Sequence, residues 1–353
     1  VTTVLTRRVT TEQDGDAVAV VRAARRTPRR RSALVVTGLA GALLAAFAAR
    51  VLLGDYTITV PDFVRIVTGT DIPGATYILM ESKLPRAVLA LLAGVAFGAA
   101  GALFQTTLRN PLASPDIIGV SLGASATAVV AIALWGWQGL SVSAVAVVGA
   151  ITVALVVRLV AGPHGGHRLV LVGIGLAAAM QSVIQYVFTR VDEYDAQLVL
   201  RWLTGSVNGV AWPTIRLLAV ALAVLLPATW WLCRSLRASE LGDDTAAGLG
   251  VSRTRGELLL LMGVVLVAVA VAAAGPIAFV SFLAGPIARA LNGGRTTVLG
   301  AALTGALVVV SADYVADYLI PDTNLPVGVV TGAVGAPFLL WLLASGRTGR
   351  RAA

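Results

Sequence analysis

Eight long stretches of this chain contain no Asp, Glu, Lys or Arg, and they restrict the solvent in which it can fold. They run Ser32–Ala49, Ala87–Leu108, Ile117–Val157, Leu169–Thr189, Leu217–Cys233, Leu258–Ala288, Thr296–Ala312 and Thr323–Gly346. A charge at the bilayer centre costs about 2.5–3.5 kcal/mol on insertion scales, so such runs are candidate spans. Soluble domains carry about 25% charged residues, whereas this sequence carries 13% and is 57% hydrophobic. A helix crosses the hydrocarbon with about 20 apolar residues. The run from Ile117 is twice that length, and the aromatic turn Trp135-Gly136-Trp137-Gln138-Gly139 divides it in two. The run from Leu258 contains Gly275-Pro276 and Gly285-Pro286, and reads as one full helix followed by a shorter, broken one. The expected class is therefore all-α: a polytopic membrane protein of about ten transmembrane helices, with no room for a large soluble domain.

Basic residues set the expected orientation, because cytoplasmic loops hold the excess of Lys and Arg. The start of the chain alone carries Arg7, Arg8, Arg22, Arg25, Arg26, Arg29, Arg30 and Arg31. Alternating ten spans from a cytoplasmic start leaves Asp55, Asp62, Asp71, Glu81, Asp192, Glu193, Asp195, Asp313, Asp317 and Asp322 in outer segments. Both termini are expected in the cytoplasm of a multi-pass inner-membrane protein. Residues 1–31 form a basic arm, short of apolar side chains and expected to be disordered. Residues 32–346 form the membrane domain and 347–353 a cytoplasmic tail. The arm is longer than a signal-peptide basic region, and the run after it exceeds the usual apolar core of about 7–15 residues, so an uncleaved first span is expected.

Absences narrow the function. Lys83 is the only lysine and follows Glu81-Ser82, so the chain has no G-x-x-x-x-G-K-[ST] phosphate loop. Energy must come from a partner or an ion gradient. His164-x-x-His167 lies in an arginine-flanked loop without a third ligand, and no metal site is expected. The single Cys233 excludes an intramolecular disulfide and a thiolate cluster. No nucleophile and base stand in a catalytic pattern, so the chain is not expected to be an enzyme. Carboxylates inside spans mark ion-coupled carriers. Asp313 and Asp317, one turn apart near an outer end, are the close candidates, and their interfacial position points to a solvated role. Gly94-x-x-x-Gly98, Gly98-x-x-Gly101 and Gly119-x-x-x-Gly123 offer small faces for helix packing within one bundle.

Two polar segments carry positive information. In Arg109-Asn110-Pro111-Leu112-Ala113-Ser114-Pro115-Asp116 a span ends in a tight inner turn. Proline forces extended backbone on Asn110, and Pro115-Asp116 opens the next helix. In Ser239-Glu240-Leu241-Gly242-Asp243-Asp244-Thr245-Ala246-Ala247-Gly248-Leu249-Gly250-Val251, the acidic pair and threonine can cap a short helix that Gly248 and Gly250 end. The result is a cytoplasmic knob projecting Leu241, Ala246 and Leu249, suited to a partner's groove.

Together with Gly275-Pro276-Ile277-Ala278-Phe279-Val280 and Leu325-Pro326-Val327-Gly328-Val329-Val330-Thr331-Gly332-Ala333-Val334-Gly335-Ala336-Pro337-Phe338, these segments resemble the FecCD family of ABC-importer permeases. The resemblance runs from about Leu84 to Leu343. It implies a type II ABC-importer permease fold, with two such subunits around one pathway and a heterodimer favoured over a homodimer. It also implies two cytoplasmic ABC ATPase subunits, which use ATP and Mg, and an extracytoplasmic substrate-binding protein. The chain itself is expected to bind no cofactor and no nucleic acid, and to be surrounded by membrane lipid. The loop around 236–256 becomes the ATPase-coupling element, with Leu241, Gly242, Asp243, Ala246, Gly248, Leu249, Gly250 and Val251. Ferric siderophore is the expected cargo, with haem or cobalamin as alternatives. A carrier that works without ATP also stays open, and would depend on Asp313 or Asp317.

Gln105, Ser121 and Ser125 are the expected pathway residues, since they are polar groups on the helices that start near Leu84 and Ile117. The sequence departs from the family pattern in three places. Ala284-Gly285-Pro286 stands where relatives often have a Pro-His or Pro-Gln pair, and Asn324 replaces an acid. Asp317 stands where relatives commonly have an arginine that meets the binding protein. Docking is therefore assigned to Arg65 and Arg86, which are basic residues near the outer face.

Overall fold

Glycine and alanine decide which helix takes the centre. The computed structural model describes residues 11–162, 166–236, 245, 248, 252–319 and 324–344. Within them, helix α1 covers Thr11–Leu52, α2 Val60–Val67, α3 Ala75–Thr107, α4 Val120–Trp135, α5 Leu140–Ala161 and α6 Gly166–Phe188. The remainder are α7 Glu193–Leu203, α8 Trp212–Leu232, α9 Arg253–Ala274, α10 Val280–Leu291, α11 Val298–Leu319 and α12 Val327–Ala344. No strand occurs among the described residues. In α3, 78% of the apolar span is buried, against 11% in α1, so α3 is the core helix and α1 lies at the periphery.

The small residues of α3 permit that position. A Cβ added at Gly94 would stand 2.5 Å from the Cα of Ala306 in α11. One at Gly98 would overlap the Ala301 carbonyl, and one at Gly101 the Ser281 carbonyl of α10. The expected glycine faces therefore bring α10 and α11 to backbone contact with α3 inside one chain. Helix α9 closes the other side of α3 through Gly263, which packs on Phe104. A second group, α4 to α6, packs on itself and joins the first through contacts of α5 and α4 with α9.

Among the described residues, eight helices are long and apolar enough to cross a membrane, and α4 and α10 are shorter apolar helices. Together they account for the ten expected. The α4–α5 hairpin turns at the anticipated aromatic segment. Gly136 and Gly139 adopt φ of 63° and 61° there, a region open to glycine at little cost. After Ala274 the chain leaves α9 through Gly275 (φ 71°) and restarts at Val280. Helices α2 and α7 are short amphipathic additions within the expected outer segments.

One expectation is corrected. The arm before Ser32, expected to be disordered, is helical from Thr11 and continuous with the first span. The run Ala17-Val18-Ala19-Val20-Val21-Arg22-Ala23-Ala24 supplies alanine and arginine, both good helix formers, and an adjoining span removes the nucleation cost.

Candidate functional site

Gln105, expected on the pathway, is instead committed to α10. Pro286 lies inside that helix and has no N–H, so the carbonyl four residues earlier, Phe282, loses its helical donor. The Gln105 side-chain amide donates to Phe282 O at 3.1 Å and supplies the missing bond. Gly285 beside it leaves room, since a Cβ there would overlap Gln105 Oε1. Gln105 is 3% exposed, so its role is to repair a proline-containing helix.

Ser121 and Ser125 also turn inward. The Ser121 hydroxyl donates to the Asp116 carboxylate, and the Ser125 hydroxyl to the Ser121 carbonyl at 2.8 Å. Both serines are buried and hydrogen-bonded within this chain. The Asp116 carboxyl is enclosed, although the residue's edge reaches solvent. Burial raises its pKa, and the Ser121 hydrogen bond opposes that shift in part. The preceding turn is tight: Arg109 takes φ 52°, and Asn110 Oδ1 accepts the Leu112 N–H at 2.9 Å.

The polar face that does remain open lies on α6. Only 17% of its span is buried, and Gln181, Ser182 and Gln185 are exposed in its second half. Gln181 and Gln185 are one turn apart and so share a face. Helices facing lipid do not carry primary amides cheaply, because an unpaired amide in hydrocarbon costs about 4–8 kcal/mol. This stripe therefore requires water or another protein. Small residues accompany it: a Cβ added at Gly175 meets no atom within 4 Å. Sequence reading passed over these residues because they lie inside a charge-free run. The recoverable signal was the i, i+4 pair of glutamines.

At one end of the bundle, where α1 ends and α3 begins, four ionised side chains close a ring. Arg50 Nε donates to Asp313 at 2.5 Å and its Nη2 to Asp317 at 3.0 Å. Arg86 Nε donates to Asp313 at 2.8 Å and its Nη1 to Asp317 at 2.8 Å. Each carboxylate thus bridges both guanidiniums. The Tyr318 hydroxyl accepts from Arg50 Nη1 at 3.0 Å, and the Lys83 ammonium donates to the Leu53 and Tyr56 carbonyls, each at 2.6 Å. Two π-helical turns, Ile78–Lys83 and Val315–Leu319, carry three of these groups. The ring ties α1, α3 and α11 together.

Two expectations are overturned by this ring. Asp313 is 0% exposed and Asp317 nearly buried, so neither is solvated, because paired arginines offset the desolvation of the acids. Arg86 is buried in the ring and cannot reach a docking protein. Arg50 was missed because it ends an apolar run, where an arginine reads as a boundary marker. Arg65 remains exposed, near the end of α2. On the same end, a cavity of about 420 Å³ is lined by Trp137, Gln138, Arg201, Trp202 and Asn208 among others.

Of the expected coupling residues, Leu241, Gly242, Asp243, Ala246, Leu249, Gly250 and Val251 lie outside the described residues. Gly248 is exposed, with no atom within 4 Å of an added Cβ. No group of three His, Cys, Asp or Glu that could hold a metal occurs among the described residues. Burial pushes the Cys233 thiol up to about 11.

The chain is similar to known proteins over most of its length. The chain is 40% identical over 272 residues to the ferric enterobactin transport system permease protein FepG of Escherichia coli (strain K12), covering 76% of this chain and 82% of that one. It is 38% identical over 271 residues to the Fe(3+) dicitrate transport system permease protein FecD of the same organism, covering 76% and 85%. A solved structure described as an inward-facing conformation of a metal-chelate type ABC transporter superposes with a TM-score of 0.76, over 89% of this chain and 99% of that one at 24% identity, which supports the fold. The model of the FecCD transport family matches residues 31–345, and the chain belongs to that family of membrane permeases.

Proposed function

We propose that this chain is one of two permease subunits of an ATP-driven importer that carries ferric siderophore into the cytoplasm. The observation that carries this reading is the 40% identity, across 82% of its length, to a permease named for ferric enterobactin transport. The arginine-rich start lies in the cytoplasm, and the ring of Arg50, Arg86, Asp313 and Asp317 lies at the outer end. A second, related permease subunit covers the α6 stripe, and cargo passes along Gln181, Ser182 and Gln185 between the two. Uncharged amides suit a bulky chelate that must pass without being held, because they offer hydrogen bonds without a fixed charge.

Energy comes from two ABC ATPase subunits that dock on the 236–256 loop and use ATP and Mg. Gly248, which is exposed and would have no atom within 4 Å of an added Cβ, supports a surface available to such a partner. An extracytoplasmic binding protein delivers cargo to the ring end, with Arg65 as a contact. The ring argues against an ion-coupled carrier, since both carboxylates are already neutralised by arginines.

The test is uptake of radiolabelled iron, presented as ferric siderophore, in iron-starved cells with and without this gene. The expected result is energy-dependent uptake that disappears without the gene and is restored by wild type but not by Leu249→Asp. Gene-dependent uptake that persists after ATP depletion would refute the ATP-driven reading. Uptake of haem or cobalamin in place of iron would refute the cargo.

A further inference from the structure

The end of the bundle opposite the ring carries arginines that the transport reading does not use. α1 runs into its apolar span through Arg29, Arg30 and Arg31, all exposed. Arg31 lies across the loop that follows α10. Its Nη2 donates to the Leu291 carbonyl at 3.1 Å, and the Ser32 hydroxyl donates to Asn292 Oδ1 at 3.0 Å. A Cβ added at Gly293 would stand 2.8 Å from Arg31 Nη1, so glycine lets the guanidinium lie flat on the loop. Within that loop the Asn292 amide donates to the Arg295 carbonyl at 3.3 Å, and the Gly294 N–H to the Arg289 carbonyl at 2.8 Å. Arg29, Arg30 and Arg31 in the turn that opens the span, and Arg295 in the loop that Arg31 lies across, place four exposed cations at this end of the bundle. Among the described residues, none of the four is ion-paired to a carboxylate.

The surroundings identify the kind of anion. α1 is the least buried span, and Leu34, one turn into it from Arg31, is 74% exposed. Leu291 and Leu299, on either side of the loop, are also exposed. The cations therefore sit where bare apolar surface ends, at the depth of lipid headgroups. Guanidinium forks match phosphate oxygens and hold them in paired hydrogen bonds.

We propose that Arg29, Arg30, Arg31 and Arg295 form a binding site for the headgroup of an anionic phospholipid whose acyl chains lie along α1. The site depends on the chain being a membrane protein and not on its cargo or energy source, so it stands or falls apart from the transport reading.

The experiment is native mass spectrometry of the purified full chain, with phosphatidylglycerol or phosphatidylcholine added at equal concentration. Wild type is expected to retain phosphatidylglycerol in clear preference. Arg30→Gln and Arg295→Gln, which leave the Arg31 anchor intact, are each expected to weaken phosphatidylglycerol retention by about fivefold, as for one arginine near an anionic surface. Arg158→Gln, which removes a cation already paired with Glu257, should leave the preference unchanged. Melting in phosphatidylcholine is read in parallel, and equal melting of variants and wild type excludes unfolding as the cause. An equal preference in wild type and both variants, or none in wild type, overturns the proposal. Displacement of the lipid by equimolar glycerol 1-phosphate also overturns it, because the site would then serve a free phosphate ester.

Discussion

Replacing Asp313 with asparagine removes one anion from a ring of two acids and two arginines. Asp313 is fully buried and accepts from Arg50 at 2.5 Å and from Arg86 at 2.8 Å. Asparagine keeps the shape and one acceptor but leaves two guanidiniums facing a single carboxylate. Breaking a buried pair in this way costs about 3–5 kcal/mol. An independent estimate agrees: two hydrogen bonds to charged groups at about 1.5–3 kcal/mol each come to a similar sum. Equilibrium unfolding in detergent, followed by tryptophan fluorescence, measures the loss. Because the damage is an uncompensated charge, Asp313→Asn combined with Arg50→Met should recover about 1–3 kcal/mol relative to the sum of the single variants. Exposed Arg65→Gln should stay within about 0.5 kcal/mol of wild type. A loss below about 1 kcal/mol for Asp313→Asn, or strict additivity in the double variant, would refute the ring as a structural unit.

Gln105→Leu should cost about 1–3 kcal/mol by orphaning Phe282 O, and Pro286→Ala, which restores a backbone donor to that carbonyl, should remove most of the cost; unfolding measurements on the two singles and the double check it. Asp116 has a folded pKa raised by burial, so its contribution to stability falls as pH rises from the ordinary carboxylate pKa through the folded one. Asp116→Asn should therefore gain on wild type across that window, and a pH series of unfolding midpoints reads this. With its pKa near 11, the Cys233 thiol should react slowly with maleimide at pH 7 and about tenfold faster per pH unit above it. In a Cys233→Ser background, Gln185→Cys should label with a water-soluble maleimide, while Val220→Cys, exposed on α8, should not. Equal labelling of the two would refute a wet α6 stripe.

The apolar runs were enough to predict the apolar helices, because crossing hydrocarbon requires long uncharged segments and turns require glycine or proline. The Trp135–Gly139 hairpin and the break after Ala274 were both legible for that reason. The family motifs were legible as well, through Leu84–Asp116 and Leu325–Phe338. Helix start signals were weaker, and the arm before Ser32 was misread because low apolar content does not forbid a helix when alanine and arginine are abundant.

Side-chain roles followed a different rule. Polar residues within spans look alike in one dimension, whether they serve a partner helix or an open face. Gln105, Ser121 and Ser125 turned out to be satisfied internally, while Gln181 and Gln185 lie open. Arg50 and Asp313 are far apart in the chain, and no local pattern announces that they pair. Sequence by itself determined the solvent, the ten apolar helices and the family, since each depends on composition and spacing along the chain. Which polar group faces which neighbour was decided by tertiary structure alone, because the cost of burying a charge or an amide is set by the partner that packing brings within hydrogen-bond reach.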